Sequence, residues 1–137
     1  MQSDPALETT SIHPDPRIAR ALSRGHLMHI TTIGRKTGQA RRVELVFHNI
    51  DGRVVISGNP GRRDWYANLV ANPHFTFHLI GPVRADLPAV ARPITEPDER
   101  RAVMERVVAN WRVPERIDVF LRRSPLVEVT FPEAAAA

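Results

Sequence analysis

Residues 31–42 read Thr-Thr-Ile-Gly-Arg-Lys-Thr-Gly-Gln-Ala-Arg-Arg. Four cations, Arg35, Lys36, Arg41 and Arg42, gather around Gly34 and Gly38. Lys36 is the only lysine among 19 Lys+Arg, so every other cation is an arginine. Apolar residues flank the stretch, and the pattern predicts a cationic turn joining two strands. Glycines let backbone N–H groups approach a ligand, and the charges favour an anion. The chemistry on offer is anion capture. The competing reading is a solvated basic hairpin tip, a common surface feature.

A second segment, residues 58–73, reads Gly-Asn-Pro-Gly-Arg-Arg-Asp-Trp-Tyr-Ala-Asn-Leu-Val-Ala-Asn-Pro. Arg62 and Arg63 open a short helix there, and a helix N-terminus favours phosphate. Trp65 and Tyr66 are neighbours on that helix and face different ways, so one is read as core and the other as surface. No side chain stands out as catalytic. The chain has no G-x-S-x-G, H-E-x-x-H, Walker loop or dinucleotide fingerprint. His74 and His78 share a strand face but lie too far apart to chelate easily, and no metal site is expected. Trp111 falls on an amphipathic stripe and reads as core.

These residues need elements to position them. Pro5, Pro14 and Pro16 mark residues 1–16 as a flexible N-terminal arm. Residues 17–132 read as a single domain, and 133–137 as a frayed tail. A short helix at Arg17–Leu22 precedes strands at His26–Ile33, Arg42–Asn49 and Arg53–Ser57, the last two joined by an Asp51-Gly52 turn. A helix from about Arg62 to Val70 ends before Asn72-Pro73. Strands follow at His74–Ile80 and Val83–Ile94, the second disturbed by Pro88. Thr95 is expected to cap a helix that runs to Trp111, with Pro97 in its first turn. A short helix at Glu115–Arg122 and a strand at Leu126–Phe131 complete the chain. Strands mostly adjoin strands, so an α+β chain with an antiparallel sheet or barrel fits better than a doubly wound sheet.

Composition narrows the partners. The 137 residues suffice for one core, and 42% hydrophobic with 25% charged content is ordinary for a soluble chain. No cysteine is present, which excludes thiolate and disulfide chemistry. No run is long enough to span a membrane, and no signal peptide is visible, so a cytoplasmic protein is expected. The net charge of +4 admits nucleic acid, an anionic surface or an anionic small ligand. The basic residues are dispersed, and aromatics make up only 6%, which argues against a nucleic-acid partner.

Two of these motifs carry a family resemblance. T-T-x-G-R-K-T-G-Q at Thr31–Gln39 and W-Y-x-N-L-x-A-N-P at Trp65–Pro73 resemble the deazaflavin-dependent nitroreductase and quinone reductase family. Arg123-Ser124-Pro125-Leu126-Val127 is a weaker match. The resemblance covers roughly Gly25 to Phe131. It implies a mainly antiparallel split β-barrel of the FMN-binding and pyridoxamine-phosphate-oxidase kind, with short peripheral helices. It also implies coenzyme F-420 as cofactor, a deazaflavin with an aromatic ring at one end and a phosphodiester and polyglutamate tail at the other.

By that resemblance Arg35, Lys36 and Arg41 match basic positions around the phosphate and tail. Gly34, Thr37, Gly38 and Gln39 match the loop that brings backbone donors near. Trp65 and Asn68 match helix positions beside the cofactor. Family members often carry a lysine in an S-K-G-G run after the third strand. Here that run is Ser57-Gly58-Asn59-Pro60-Gly61, and Arg62 and Arg63 supply the nearest charge. The implied activity is hydride transfer to a small-molecule acceptor: a quinone, a nitroaromatic, or a conjugated enone or lactone. A homodimer without stable membrane insertion is the expected assembly. The alternatives are the same scaffold using FMN, a non-catalytic binder of the deazaflavin or a lipid-like anion, and a small nucleic-acid-binding barrel.

Overall fold

A computed structural model describes residues 13–132. The expected arm lies mostly outside the described residues, and the expected tail lies wholly outside them. Helix α1 spans Pro16–Arg24. Asp15 caps it by accepting from the Arg17 backbone N–H, and Pro16 fills a first-turn position where its missing donor is not needed.

Six strands follow: β1 (Leu27–Ile33), β2 (Ala40–Ile50), β3 (Arg53–Ser57), β4 (His74–Ile80), β5 (Arg84–Pro93) and β6 (Leu126–Thr130). They close into a barrel in the order β1-β2-β3-β6-β5-β4, with every neighbouring pair antiparallel. Helix α2 (Asp64–Ala71) lies between β3 and β4 in the chain. Helices α3 (Pro97–Asn110) and α4 (Ile117–Arg123), with a 3-10 turn at Pro114–Arg116, lie between β5 and β6.

Two apolar cores explain the strand patterns. Met28, Ile30, Phe47, Val54, Ile56, Phe77 and Val127 belong to a core that also takes Leu22 of α1 and Trp65 and Leu69 of α2. Val55 turns the other way and joins Val103, Met104, Val107 and Phe120 in a second core under α3 and α4. β3 therefore buries both faces, which is why its sequence does not alternate. Outside that second core, Arg53 and Arg92 bind Glu99 and Glu128 in a closed ion-pair network.

Two local expectations are corrected. Pro88 does not disturb β5, which runs unbroken with Pro88 opposite Thr76. β6 joins β5 only from Val90 onward, so Pro88 removes no donor from that ladder. The cap of α3 is Glu96, not Thr95: the Glu96 carboxylate accepts from the Asp98 and Glu99 backbone N–H groups.

The feature that matters for function is a split. β2 pairs with β1 along Ala40–Val46, but β3 pairs with β2 only at Phe47–Ile50. The first half of β2 thus has one edge without a strand neighbour among the described residues.

Candidate functional site at the split of the barrel

The cationic turn closes the β1–β2 hairpin. Gly34 N–H donates to the Gln39 carbonyl and Gly38 N–H to the Gly34 carbonyl, both at 2.8 Å. The Thr37 hydroxyl accepts from Gln39 N–H at 3.1 Å. Gly38 holds φ 71, which glycine adopts without strain. A Cβ at Gly34 would sit 2.8 Å from the Thr37 hydroxyl oxygen and 3.3 Å from the Gln39 carbonyl, so a side chain there would displace the Thr37 hydroxyl.

Helix α2 fixes the turn from the side. The Asn68 side chain is buried, and its Oδ1 accepts from the Arg35 backbone N–H at 3.0 Å and from the Arg35 guanidinium at 2.9 Å. Its Nδ2 donates to the Thr32 hydroxyl at 3.3 Å. Asn68 therefore clamps β1, the turn and the Arg35 side chain. Arg42 donates from Nε to His29 Nδ1 at 2.9 Å. Lys36 and Arg41 stay exposed, and neither has a carboxylate within ion-pair distance among the described residues.

Between turn and helix lies a cavity of about 440 Å³, walled by Gly34, Arg35, Lys36, Thr37, Arg41, Trp65 and Asn68, among others. Seven of the residues expected at the site from sequence are brought together here. Gly38 and Gln39 shape the turn without lining that cavity. A neighbouring groove of about 420 Å³ shares Trp65 and adds Leu45, Val46, Ser57, Gly58, Asn59, Arg63 and Trp111. Both hollows contact the half of β2 that lacks a second strand neighbour. Ser57 donates its hydroxyl to the Pro125 carbonyl at 2.7 Å, so toward a ligand it can only accept. Arg62 lies elsewhere, lining a third hollow on the far side of Arg63.

Leu45, Val46 and Trp111 were not expected at a site. The one local signal was the Leu45-Val46 pair, which breaks alternation on β2 where the strand loses a neighbour. Trp111 does pack against the second core as expected, yet it also walls the groove. Beneath it His48 lies 4.9 Å away, and burial lowers its pKa to about 4. His78 stands opposite His29 in the β1–β4 register and bonds Thr31 and Asp86, both at 2.7 Å.

A flat groove joined to a cationic, glycine-bearing turn suits a ligand that is aromatic at one end and anionic at the other. The model of one family, F420H(2)-dependent quinone reductase, matches residues 10–118. The chain belongs to that family. This reductase uses coenzyme F-420 as its cofactor.

Solved structures agree on the fold of the reductase. A conserved hypothetical protein of Mycobacterium tuberculosis superposes with TM-score 0.68 at 19% identity, over 85% of this chain and 79% of the other. A protein described as an F420-H2 dependent reductase gives 0.56 at 24%, over 75% and 91%. An FAD-binding protein of Mesorhizobium loti gives 0.62 at 11%, over 85% and 88%. At these identities the likeness shows the split-barrel fold alone. No described helix is long and apolar enough to cross a membrane.

Proposed function

We propose that the reductase holds coenzyme F-420 along the free edge of β2 and delivers its hydride to an electron-poor acceptor. Quinones, nitroaromatics and conjugated enones or lactones are the acceptor classes. The observation that carries this reading is the unpaired half of β2, which runs from a cationic turn to a groove where Trp65 and Trp111 stand beside Leu45 and Val46, with Ser57, Asn59 and Arg63 in the same wall.

In this reading Lys36, Arg41 and Arg35 hold the phosphate and tail by charge-assisted hydrogen bonds. Gly34, Thr37, Gly38 and Gln39 form the loop that presents them. Trp65, shared by both hollows, holds the ring in register with the strand edge. Ser57 and Arg63 face the groove. Asn68 acts through Arg35 and is a positioning residue. When bound, the reduced cofactor would supply a hydride and, by way of water, the proton that balances it. The chain therefore needs no acid of its own. Its part is to orient two flat reactants and exclude water between them. The homodimer implied by the family resemblance and the cytoplasmic location expected from the sequence belong to the same reading. Light scattering at twice the chain's 15.4 kDa is the expected result.

Stopped-flow oxidation of reduced coenzyme F-420 over an acceptor panel tests the proposal. Acceleration over the protein-free rate is expected with at least one class. Tight cofactor binding with no acceleration anywhere would make the protein a carrier instead.

A further inference from the structure

We infer that the third hollow binds a carboxylate of the acceptor, so that the preferred acceptors are anionic. The inference rests on the cofactor placement above. The hollow measures about 550 Å³ and is lined by Arg62, Arg63, Arg100, Arg122 and Arg123, with no Asp or Glu in its wall among the described residues. Arginine is the side chain best matched to a carboxylate, because its planar fork donates two parallel hydrogen bonds.

These five arginines form no ion pair among the described residues, unlike Arg53 and Arg92. Arg100 donates to the carbonyls of Ile94, Leu121, Phe120 and Ser124. Arg63 donates to those of Arg62 and Asn59, at 2.8 and 3.0 Å. Carbonyls fix both guanidinium groups without neutralising them. Arg62, Arg122 and Arg123 are exposed, and their side chains are free to close on an anion. A helix C-terminus favours cations, which accounts for Arg122 and Arg123 at the end of α4. It does not account for Arg62 and Arg100, which arrive from other elements. Ser124, in the same wall, buries a hydroxyl that has no hydrogen-bond partner among the described residues.

Position decides which carboxylate. Arg63 lines both this hollow and the ring groove, whereas Trp65 joins that groove to the cationic turn. The order is turn, Trp65, groove, Arg63, arginine hollow. With the cofactor's anionic end at the turn, the hollow is left for the other reactant.

The test titrates a naphthoquinone bearing a propionate side chain, and its methyl ester, into the reductase saturated with oxidised coenzyme F-420. Calorimetry is expected to show the acid binding about tenfold or more tighter than the ester. In Arg122→Gln/Arg123→Gln that preference falls toward one, and the ratio of the two kcat/KM values falls with it. Arg62→Gln, on a separate element, gives an independent reading in the same direction. The dissociation constants of coenzyme F-420 and of its tail-free analogue stay unchanged in Arg122→Gln/Arg123→Gln. Equal binding of acid and ester by the wild type overturns the inference while leaving the proposed function standing. A loss of cofactor affinity that grows with the number of glutamates also overturns it, since the hollow then serves the tail. Absence of coenzyme F-420 binding overturns the functional reading and the acceptor site together.

Discussion

Lys36 and Arg41 project charge from an exposed turn and have no carboxylate partner among the described residues, so their charge is available to a ligand. Lys36→Ala and Arg41→Ala are each expected to weaken cofactor binding about ten- to hundredfold, the worth of one charge-assisted contact. The thermal midpoint should hold, because neither side chain packs in a core. Fluorescence titration beside a melting curve checks both. Trp65→Ala should slow cofactor oxidation far more than Tyr66→Phe in stopped flow. The indole walls both hollows along β2 and is buried, whereas Tyr66 lines neither of them. A large loss in Tyr66→Phe with native fold would reveal a proton donor. The cations were legible in the sequence because glycines bracket them within a few residues. Leu45, Val46 and Trp111 were not, since their place at the groove depends on where β2 loses its neighbour, a fact fixed by distant register.

At the scale of elements, α2 acts as a clamp on the β1–β2 turn. Asn68 satisfies the Arg35 N–H and guanidinium with one oxygen, and Thr32 with its nitrogen. Asn68→Ala leaves a backbone donor without its acceptor, so Arg35 amide exchange should quicken and cofactor affinity should fall although Asn68 need not touch the cofactor. The stability loss should be about 1–3 kcal/mol, the cost of unmade buried hydrogen bonds. Unchanged exchange at Arg35 would show that the turn holds its own shape. Sequence reasoning found the strand–turn–strand order and the bounds of β3 and β4, because turn residues and apolar runs are local signals. It chose the wrong cap for α3, since Thr95 and Glu96 both offer an oxygen and only the chain's entry angle selects between them.

For the whole molecule, the barrel and the α3–α4 layer meet along β3, and His48 lies at the rim of that junction. Its pKa of about 4 reflects burial, with Trp111 against the ring and Nε2 left without a partner among the described residues. The unfolded chain takes a proton near the ordinary value of 6.5, and the folded one resists it. This term is fully present above pH 6.5 and falls as pH drops toward 4, by up to about 3 kcal/mol. Denaturant melts across that range should show the decline, and His48→Leu should flatten it. An equal decline in the variant would assign the acid sensitivity to other groups. The residue pattern alone reached only an antiparallel sheet or barrel, and the family resemblance supplied the split barrel. The strand register shows where on β2 that split falls.

The central claim is that the hollows along the unpaired half of β2 are built for a deazaflavin with a long anionic tail. Equilibrium titration of the protein with coenzyme F-420 and with FMN tests it most directly. Tighter binding of coenzyme F-420, lost in the Lys36→Ala/Arg41→Ala double variant, is the predicted result. Tighter binding of FMN, or affinity for coenzyme F-420 that the double variant leaves unchanged, would contradict it.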